Sequence, residues 1–232
     1  PADNRMGGAN VVWDYNTVRE AGPEIIHIDY RLNETAAGYP SEWLPIRTGT
    51  DAALVAGIAH ELITNDWVDL DFLHKYCVGY DEETMPASAK GQNKSYHDYI
   101  MGLGYDKVEK TPEWAAEITL VPAEKIRELA AKIHDAKAVF VVQGWGLQRH
   151  SNGESATRAV CMLALLTGNL GKPGTNSGMR EAEPPGAPVG SLPASDEDPN
   201  GAPMNMVNAK ISCYSWLKCI DEGKDFQNEL DA

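Results

Sequence analysis

The sequence predicts an α/β domain, built as a layered, mainly parallel sheet with helices on both faces. Two runs, Ile25–Ile28 and Ala138–Val142, are predicted to be buried strands because their successive residues are apolar. Helical patterns lie around and between these runs, in the order helix, strand, helix, helix, strand, helix. Parallel strands need crossover connections, which are usually helices, so this order favours a parallel sheet.

The composition excludes some classes of partner. The 232 residues carry 20 Lys and Arg against 34 Asp and Glu, a net charge of −14, and 43% are hydrophobic. No basic run stands out, which argues against nucleic acid or an anionic membrane surface as partner. None of the four cysteines lies in a C-x-x-C pair or has a His at zinc spacing, so no metal site is predicted. Cys161 falls on the predicted core face of its helix, and we expect it to be buried.

The first third of the chain contains one helix and two short strands. Asn10–Ala21 has helical spacing, Glu24–Asp29 is a strand that ends in an acid, and Trp43–Arg47 is a second short strand. In a nucleotide-binding α/β unit, an acid at a strand end accepts hydrogen bonds from ribose hydroxyls. The alternative is that Asp29 caps the turn that follows, and the sequence does not decide between the two.

The motif RTGTD (Arg47–Asp51) is a glycine turn that leads into a helix. That helix, Ala52–Thr64, is apolar on nearly every side, so we expect it to be buried. Thr50 and Asp51 are both good N-caps. The functional alternative is that the Asp51 carboxylate accepts paired N–H bonds from a guanine edge.

The middle of the chain is predicted to be mostly helical. Asp66–Cys77 is a shorter helix, Val78–Tyr105 is a polar surface excursion, and two helices start at Thr111-Pro112 and at Pro122. The buried face of the last helix is marked by Ile126, Leu129, Ala130 and Ile133.

A second glycine turn follows the predicted strand Ala138–Val142. Gly144 and Gly146 break the strand and let the backbone approach another group closely. Ser151 and Glu154 have capping-box spacing, which predicts that a helix starts there, and Gly168 is placed to end it in a left-handed cap. The core face of this helix consists of Ala156, Ala159, Val160, Leu163 and Leu166 (or Leu165). A strand, glycine turn and helix start suit phosphate, although ordinary connections have the same pattern.

The chain is predicted to have three parts: an α/β domain over 1–180, a loop over 181–205 and a C-terminal helix within 206–232. Glu181–Pro203 contains six prolines and an acidic patch, so we expect it to be mobile. Val207–Ile220 has amphipathic spacing. The chain opens at Pro1 without Met or a signal peptide, and we expect it to be a piece of a longer protein.

The motifs IDYR, RTGTD, QGWGLQRH and LLTGNLGKPGTNSGMRE, in this order, resemble the dimethyl sulfoxide reductase family of molybdopterin oxidoreductases. The resemblance covers nearly the whole chain but only an internal part of the family's polypeptide. It implies a Rossmann-like domain that holds one molybdopterin guanine dinucleotide. The resemblance assigns cofactor binding to Asp29, Arg31, Arg47, Gly49, Thr50, Asp51, Gln143, Gly144, Trp145, Gly146, Gln148, Arg149, Thr167, Asn169, Gly174 and Asn176.

The same resemblance implies what surrounds this domain in an intact enzyme. The molybdenum ligand and the iron–sulfur cysteines would precede Pro1, so no catalytic residue is expected here, with Arg180 a loose match to an active-site neighbour. The partners would be an iron–sulfur electron-transfer subunit and a membrane anchor subunit. The enzyme would lie on the exported face of a membrane, reached by the twin-arginine route.

The function implied is reduction of an S- or N-oxide by oxygen-atom transfer in anaerobic respiration. The alternatives are a selenate, nitrate, polysulfide or formate enzyme of the same superfamily, or an α/β binding module without catalysis. Since Tyr30 replaces a proline found in many family members, the turn after Asp29 is expected to differ in shape.

Overall fold

The computed structural model describes residues 11–38, 41–144, 146–177 and 215–226, without the side chains of 11–14 and 216. Its contacts divide the chain into two units, Pro1–Pro184 and Pro185–Ala232. The predicted loop Glu181–Pro203, Arg180 and Trp145 lie outside the described residues. The predicted three-part organisation stays a prediction.

The described residues of the first unit form a small parallel sheet and, in chain order, eight helices. They are α1 (Val11–Ala21), α2 (Glu34–Gly38), α3 (Asp51–Thr64), α4 (Leu70–Tyr76), α5 (Tyr96–Ile100), α6 (Pro112–Thr119), α7 (Ala123–Asp135) and α8 (Gly153–Leu166). The strands are β1 (Ile26–Ile28) and β2 (Glu42–Leu44), which pair in parallel with Ile26 opposite Glu42 and Ile28 opposite Leu44. The predicted α/β class and the parallel strand direction are confirmed.

Helix α3 is the centre of the core, as its sequence predicts. Its buried residues are Leu54, Val55, Ala56, Gly57, Ile58, Ala59, His60, Leu62 and Ile63. Helices α6, α7 and α8 all pack against it. Because its sides are apolar, burial against three helices removes this surface from water, which is the main favourable term in folding.

Two helices start where the prolines predict, and one of these starts has a side-chain cap. The Thr111 hydroxyl accepts a hydrogen bond from the Trp114 N–H, and Pro112 occupies the first turn of α6, as predicted. Pro122 is the N-cap of α7, whose buried residues are Ile126, Leu129 and Ala130. Of the predicted buried face, Ile133 is partly buried.

The prediction of a polar surface excursion over Val78–Tyr105 is wrong in part. This segment contains α5, which Ser95 and Asp98 start with a reciprocal capping box. Tyr80 is 4% exposed and Ile100 is fully buried, so the segment adds to the core. The sequence hides this because a five-residue helix is too short to show a period.

The predicted buried strand Ala138–Val142 is wrong as a strand. The segment does not pair with β1 or β2, and the described part of the sheet has only those two strands. Phe140 and Val142 are 52% and 56% exposed. The apolar run predicts a covered strand, but side chains from a later loop take its hydrogen bonds instead, as described below.

The start of α8 also differs from the prediction. Its N-cap is Asn152, in the left-handed conformation (φ 58°) and without a side-chain cap bond, so the capping box predicted from Ser151 is wrong. Leu163 and Leu166 are buried as expected, and Gly168 follows the helix end at φ +61°. Cys161 is exposed, which contradicts its predicted burial.

In the second unit, the described residues form α9 (Trp216–Glu222) and a 3-10 turn, Gly223–Asp225. The predicted helix Val207–Ile220 reaches these residues only at its end. Among all the helices described here, none has the length and apolarity to cross a bilayer.

Candidate functional site

The first part of the candidate site is the carboxyl end of β1. The Asp29 N–H donates to the Leu44 carbonyl at 3.3 Å, which extends the pairing of the two strands by one residue. The Asp29 carboxylate accepts from the Asn33 Nδ2 at 2.8 Å and from the Arg31 N–H at 3.3 Å. Asp29 therefore organises the turn after β1, and its half-buried carboxylate keeps acceptor capacity for a further donor.

The second part is the RTGTD turn. Arg47 is held by its N–H, which donates to the Thr119 carbonyl at 2.9 Å. Thr50 is the N-cap of α3 but makes no side-chain cap bond; its hydroxyl donates back to the Arg47 carbonyl at 2.6 Å. Gly49 has φ +76°, and no atom lies within 4 Å of the position that a Cβ would take. The turn is therefore tight internally and open on its outer side.

Asp51 is the first residue of α3, as predicted. The pKa of its carboxyl group is raised, mainly by burial. The backbone hydrogen bond of Asp51 and the charge of His150 lower this pKa, and the charge of Asp29 raises it. The charges of Asp29 and His150 therefore both act on the Asp51 carboxyl group at the start of α3.

The third part is the turn after Val142. Gly144 and Gly146 are exposed, and a Cβ built on either would meet no atom within 4 Å. Gly146 leads into a 3-10 turn, Leu147–Arg149, whose backbone packs against the start of α8. A Cβ on Gly153 would lie 2.4 Å from the Leu147 carbonyl oxygen, so this close packing requires glycine.

Polar side chains surround this open turn. Gln143 donates from Nε2 to the Thr157 carbonyl at 3.2 Å, and its buried Oε1 has no hydrogen-bond partner among the described residues. Gln148 and Arg149 are exposed. The guanidinium groups of Arg31 and Arg47 are also exposed, and neither they nor that of Arg149 forms an ion pair with another described residue.

The fourth part is the loop after α8, where the side chains are used within the chain. The Asn169 Oδ1 accepts from the Val139 N–H at 3.0 Å, and its Nδ2 donates to the Thr167 hydroxyl at 2.7 Å. Asn176 accepts from the Val141 N–H at 3.0 Å and donates to the Val141 carbonyl at 2.8 Å. Gly174 adopts φ +82°, with its Cβ position 3.4 Å from the Cβ of Ala138.

Sequence reasoning missed this role of the two asparagines. It assigned Asn169 and Asn176 to the cofactor, but both are 8% exposed and their amide groups bind the Val139–Val141 backbone. The sequence offers one weak signal for this role, which is the presence of two asparagines downstream of the apolar run. Contact between any of the predicted site residues and a cofactor stays a prediction.

Two open surface cavities lie elsewhere among the described residues. One of about 560 Å³ is lined by Tyr96, Tyr99 and Tyr105, and one of about 410 Å³ by Tyr80, Asp81 and Glu82. Both are open and belong to the segment around α5.

Part of a solved structure is similar to this fold. The acetylene hydratase from Pelobacter acetylenicus superposes with a TM-score of 0.55 at 25% sequence identity, over 71% of this chain and 20% of that chain. The molybdopterin oxidoreductase family model matches residues 9–227. The chain belongs to the molybdopterin oxidoreductase family.

Several curated relatives are similar over most of the chain. The probable dimethyl sulfoxide reductase chain YnfF of Escherichia coli is 49% identical over 100% of this chain and 28% of its own length. Dimethyl sulfoxide reductase DmsA of the same organism is 48% identical over 97% of this chain and 26% of its own length. A trimethylamine-N-oxide reductase of Haemophilus influenzae is 35% identical over 89% and 24%. The chain therefore spans about a quarter of the length of these relatives.

Proposed function

We propose that this chain is the domain that holds one molybdopterin guanine dinucleotide in an enzyme that reduces S- or N-oxides. Membership of the molybdopterin oxidoreductase family implies a molybdenum–pterin cofactor. The observations that support the finer proposal are the open backbone at Gly49, Gly144 and Gly146 and the half-buried Asp51 carboxyl, on which the charges of Asp29 and His150 act. A long ligand with a base, a ribose and a pyrophosphate needs different partners along one groove, and these residues supply them.

The groups present fit such a ligand. Open space at Gly49, Gly144 and Gly146 lets a ligand approach the backbone where any side chain would obstruct it. The Oε1 of Gln143 is a buried acceptor without a hydrogen-bond partner among the described residues, and such acceptors are costly unless a donor satisfies them. The raised pKa of Asp51 marks a carboxylate that lacks full compensation for its burial.

Each group then has a physical role in binding. The Asp51 carboxylate accepts paired N–H bonds from the guanine edge, and Asp29 accepts from the ribose hydroxyls. The backbone around Gly144 and Gly146 lies against the pyrophosphate, whose charge is offset by the exposed Arg31, Arg47 and Arg149. Asn169 and Asn176 hold the Val139–Val141 backbone that leads into this turn.

The bound molybdenum–pterin group would supply the redox and oxygen-transfer chemistry, while this chain binds and orients it. We infer that the substrates are small S- and N-oxides, because the similar proteins are named as dimethyl sulfoxide and trimethylamine-N-oxide reductases. An iron–sulfur cluster elsewhere in the polypeptide, an iron–sulfur subunit and a membrane anchor complete the proposed enzyme on the exported side of a membrane.

The fold alone does not decide which reaction the intact enzyme catalyses. The superposed solved structure is named as a hydratase, so this fold does not by itself select oxide reduction. Turnover of dimethyl sulfoxide, trimethylamine N-oxide, selenate, nitrate, polysulfide and formate by the intact enzyme separates these reactions.

The binding proposal is tested at Asp51 in the intact enzyme. Asp51→Asn keeps the shape but exchanges an acceptor oxygen for a donor, so it opposes the guanine N–H groups. We expect pterin content to fall at least tenfold while the melting temperature at pH 7 holds or rises, because the substitution removes a carboxylate whose charged form burial disfavours.

Thr111→Ala is the matched control, because Thr111 caps α6 without belonging to the proposed groove. Loss of that cap should cost about 1 kcal/mol of stability and leave pterin content unchanged. Full pterin content in Asp51→Asn, together with a lowered melting temperature, would show that Asp51 only supports the helix start and would refute the proposed site.

A further inference from the structure

The segment Val139–Val141 has no regular secondary structure and pairs with neither strand of the described sheet. The N–H groups of Val139 and Val141 both donate to side chains of the loop after α8. The segment therefore presents these two N–H groups along one edge. This edge needs hydrogen-bond partners, since unpaired buried backbone groups are costly.

Two side-chain amides occupy that edge. The Val139 N–H donates to the Asn169 Oδ1 at 3.0 Å. Asn176 binds both polar groups of Val141, as acceptor for the N–H at 3.0 Å and as donor to the carbonyl at 2.8 Å. A primary amide has the same donor and acceptor as a peptide group, so Asn176 replaces one residue of a neighbouring strand.

The two asparagines are themselves fixed in the loop after α8. The Asn176 N–H donates to the Asn169 carbonyl at 3.2 Å, and the Gly171 N–H donates to the Asn176 carbonyl at 2.7 Å. The Asn169 Nδ2 is held by the Thr167 hydroxyl at 2.7 Å. The loop is thus closed on itself and presents both amides at a fixed spacing.

We propose that Asn169 and Asn176 are positioning residues, which fix the Val139–Val141 segment and through it the glycine turn at Gly144 and Gly146. The turn begins two residues after Val141, and Gln143 ties it to α8 through the Thr157 carbonyl. Within the turn, the Gly146 carbonyl accepts from the Arg149 N–H at 3.0 Å, while the segment before Gly144 is held by Gln143 and the two asparagines. This inference rests on the proposed cofactor role of that turn.

The consequence is that both asparagines act on cofactor binding without touching the cofactor. Each is 8% exposed, and the amide groups already have partners inside the chain. Substitution of a residue in direct contact would remove a bond to the cofactor. Substitution of Asn169 or Asn176 would instead disorder the turn that receives the cofactor.

The test uses Asn176→Asp and Asn169→Leu in the intact enzyme. Asn176→Asp keeps the acceptor for the Val141 N–H but turns a second oxygen toward the Val141 carbonyl. Asn169→Leu keeps the approximate size and removes the acceptor for the Val139 N–H. Hydrogen exchange of the peptide over residues 138–149, pterin content per folded protein and melting temperature are measured together.

We expect exchange over 138–149 to become about tenfold faster and pterin content to fall by a similar factor in both variants. Asn65→Asp is the matched control, since Asn65 is an exposed residue whose Nδ2 donates to the Glu61 carbonyl at 2.9 Å after α3. It should change neither quantity.

Pterin loss without faster exchange would mean direct contact with the cofactor and would overturn the positioning role. Faster exchange with full pterin content would overturn it as well. A wild-type protein without pterin would instead refute the proposed function, while the exchange data would still report whether the two amides hold the segment.

Discussion

Gly57 of α3 lies against Ala115 of α6 so closely that a Cβ built on Gly57 would be 2.7 Å from the Ala115 Cβ. The Ile126 Cγ2 of α7 would be 3.3 Å away on the same side. Glycine in a helix interior is unfavourable by about 1 kcal/mol relative to alanine. The contact with α6 explains why α3 keeps it, because only the absence of a side chain permits this helix separation.

Gly57→Ala should therefore destabilise the protein although it improves helix propensity. Overpacking costs about 1–3 kcal/mol, which exceeds the gain in propensity. The melting temperature should fall in Gly57→Ala, which puts two methyl groups at this contact. It should recover in the double variant Gly57→Ala/Ala115→Gly, which has a single methyl group there, as the wild type does. A single variant as stable as wild type would show that α3 and α6 separate without cost.

Gly168 and Gly171 provide a second comparison in the loop after α8. Both have positive φ, +61° and +71°, so alanine is strained at either position. A Cβ on Gly168 would also lie 2.3 Å from the Asp69 Oδ2, whereas nothing lies within 4 Å at Gly171.

Gly171→Ala should lower the free energy of unfolding by about 1–2 kcal/mol, from the left-handed backbone alone. Gly168→Ala should cost about 1–3 kcal/mol more, because Asp69 has to move and its cap bond to the Phe72 N–H weakens. Denaturant unfolding of both variants measures the difference. Equal losses would mean that Asp69 rotates away freely.

Parts of this fold follow from local chemistry and could be predicted. The uninterrupted apolar surface of α3 requires burial, and Thr111 with Pro112 marks the start of α6, so both agree with the structure. The resemblance assigned Asp29 and Asp51 to the same cofactor, and their contact with it stays a prediction.

Other parts depend on contacts between distant residues, which the pattern does not show. The run Ala138–Val142 has the composition of a strand, yet its partners are two asparagine side chains about 30 residues further along. Ser151 has capping-box spacing, yet α8 starts later, where Gly153 admits the backbone of Gln148. In both places tertiary packing overrides the local signal.

The pair His74–Asp81 should make stability depend on pH. His74 Nε2 lies 2.7 Å from the Asp81 Oδ2, and this hydrogen bond raises the pKa of His74 against the opposing effect of burial, with further help from the charges of Asp81 and Glu83. A His whose pKa is raised on folding contributes stability that is complete below its unfolded pKa of about 6.5 and is lost as the pH rises through the folded pKa.

A double-mutant cycle with His74→Gln and Asp81→Asn isolates this effect. The coupling between the two residues should be present at pH 6 and should largely disappear at pH 8.5, when His74 has lost its proton. Melting temperatures of the four proteins at both values of pH give the coupling. A coupling that is equal at the two values would mean that the neutral hydrogen bond, rather than the charge, joins α4 to the segment before α5.

The last prediction concerns Lys110, a charged residue buried beside α6. Its side chain is 1% exposed, and its Nζ donates to the Asp106 Oδ2 at 2.8 Å and to the Val108 carbonyl. The same nitrogen lies 4.3 Å from the centre of the Tyr99 ring and 5.5 Å from that of Trp114. A buried ammonium group is tolerated only with such partners, so the segment after α5 is organised around it.

Lys110→Met keeps the aliphatic stem and removes the charge, leaving the Val108 carbonyl without this partner. We expect a loss of about 1–3 kcal/mol in the free energy of unfolding, because Asp106 is 27% exposed and water can replace its lost bond. Lys110→Ala should cost about 2 kcal/mol more, since it also leaves a cavity beside the two rings.

Lys107→Met is the matched control, because Lys107 is exposed and its Nζ donates to the Leu103 carbonyl at 2.8 Å. Its loss should change the free energy of unfolding by no more than about 0.5 kcal/mol. If Lys110→Met were as stable as Lys107→Met, burial of the stem rather than the bonds of the ammonium group would account for the conformation of this segment.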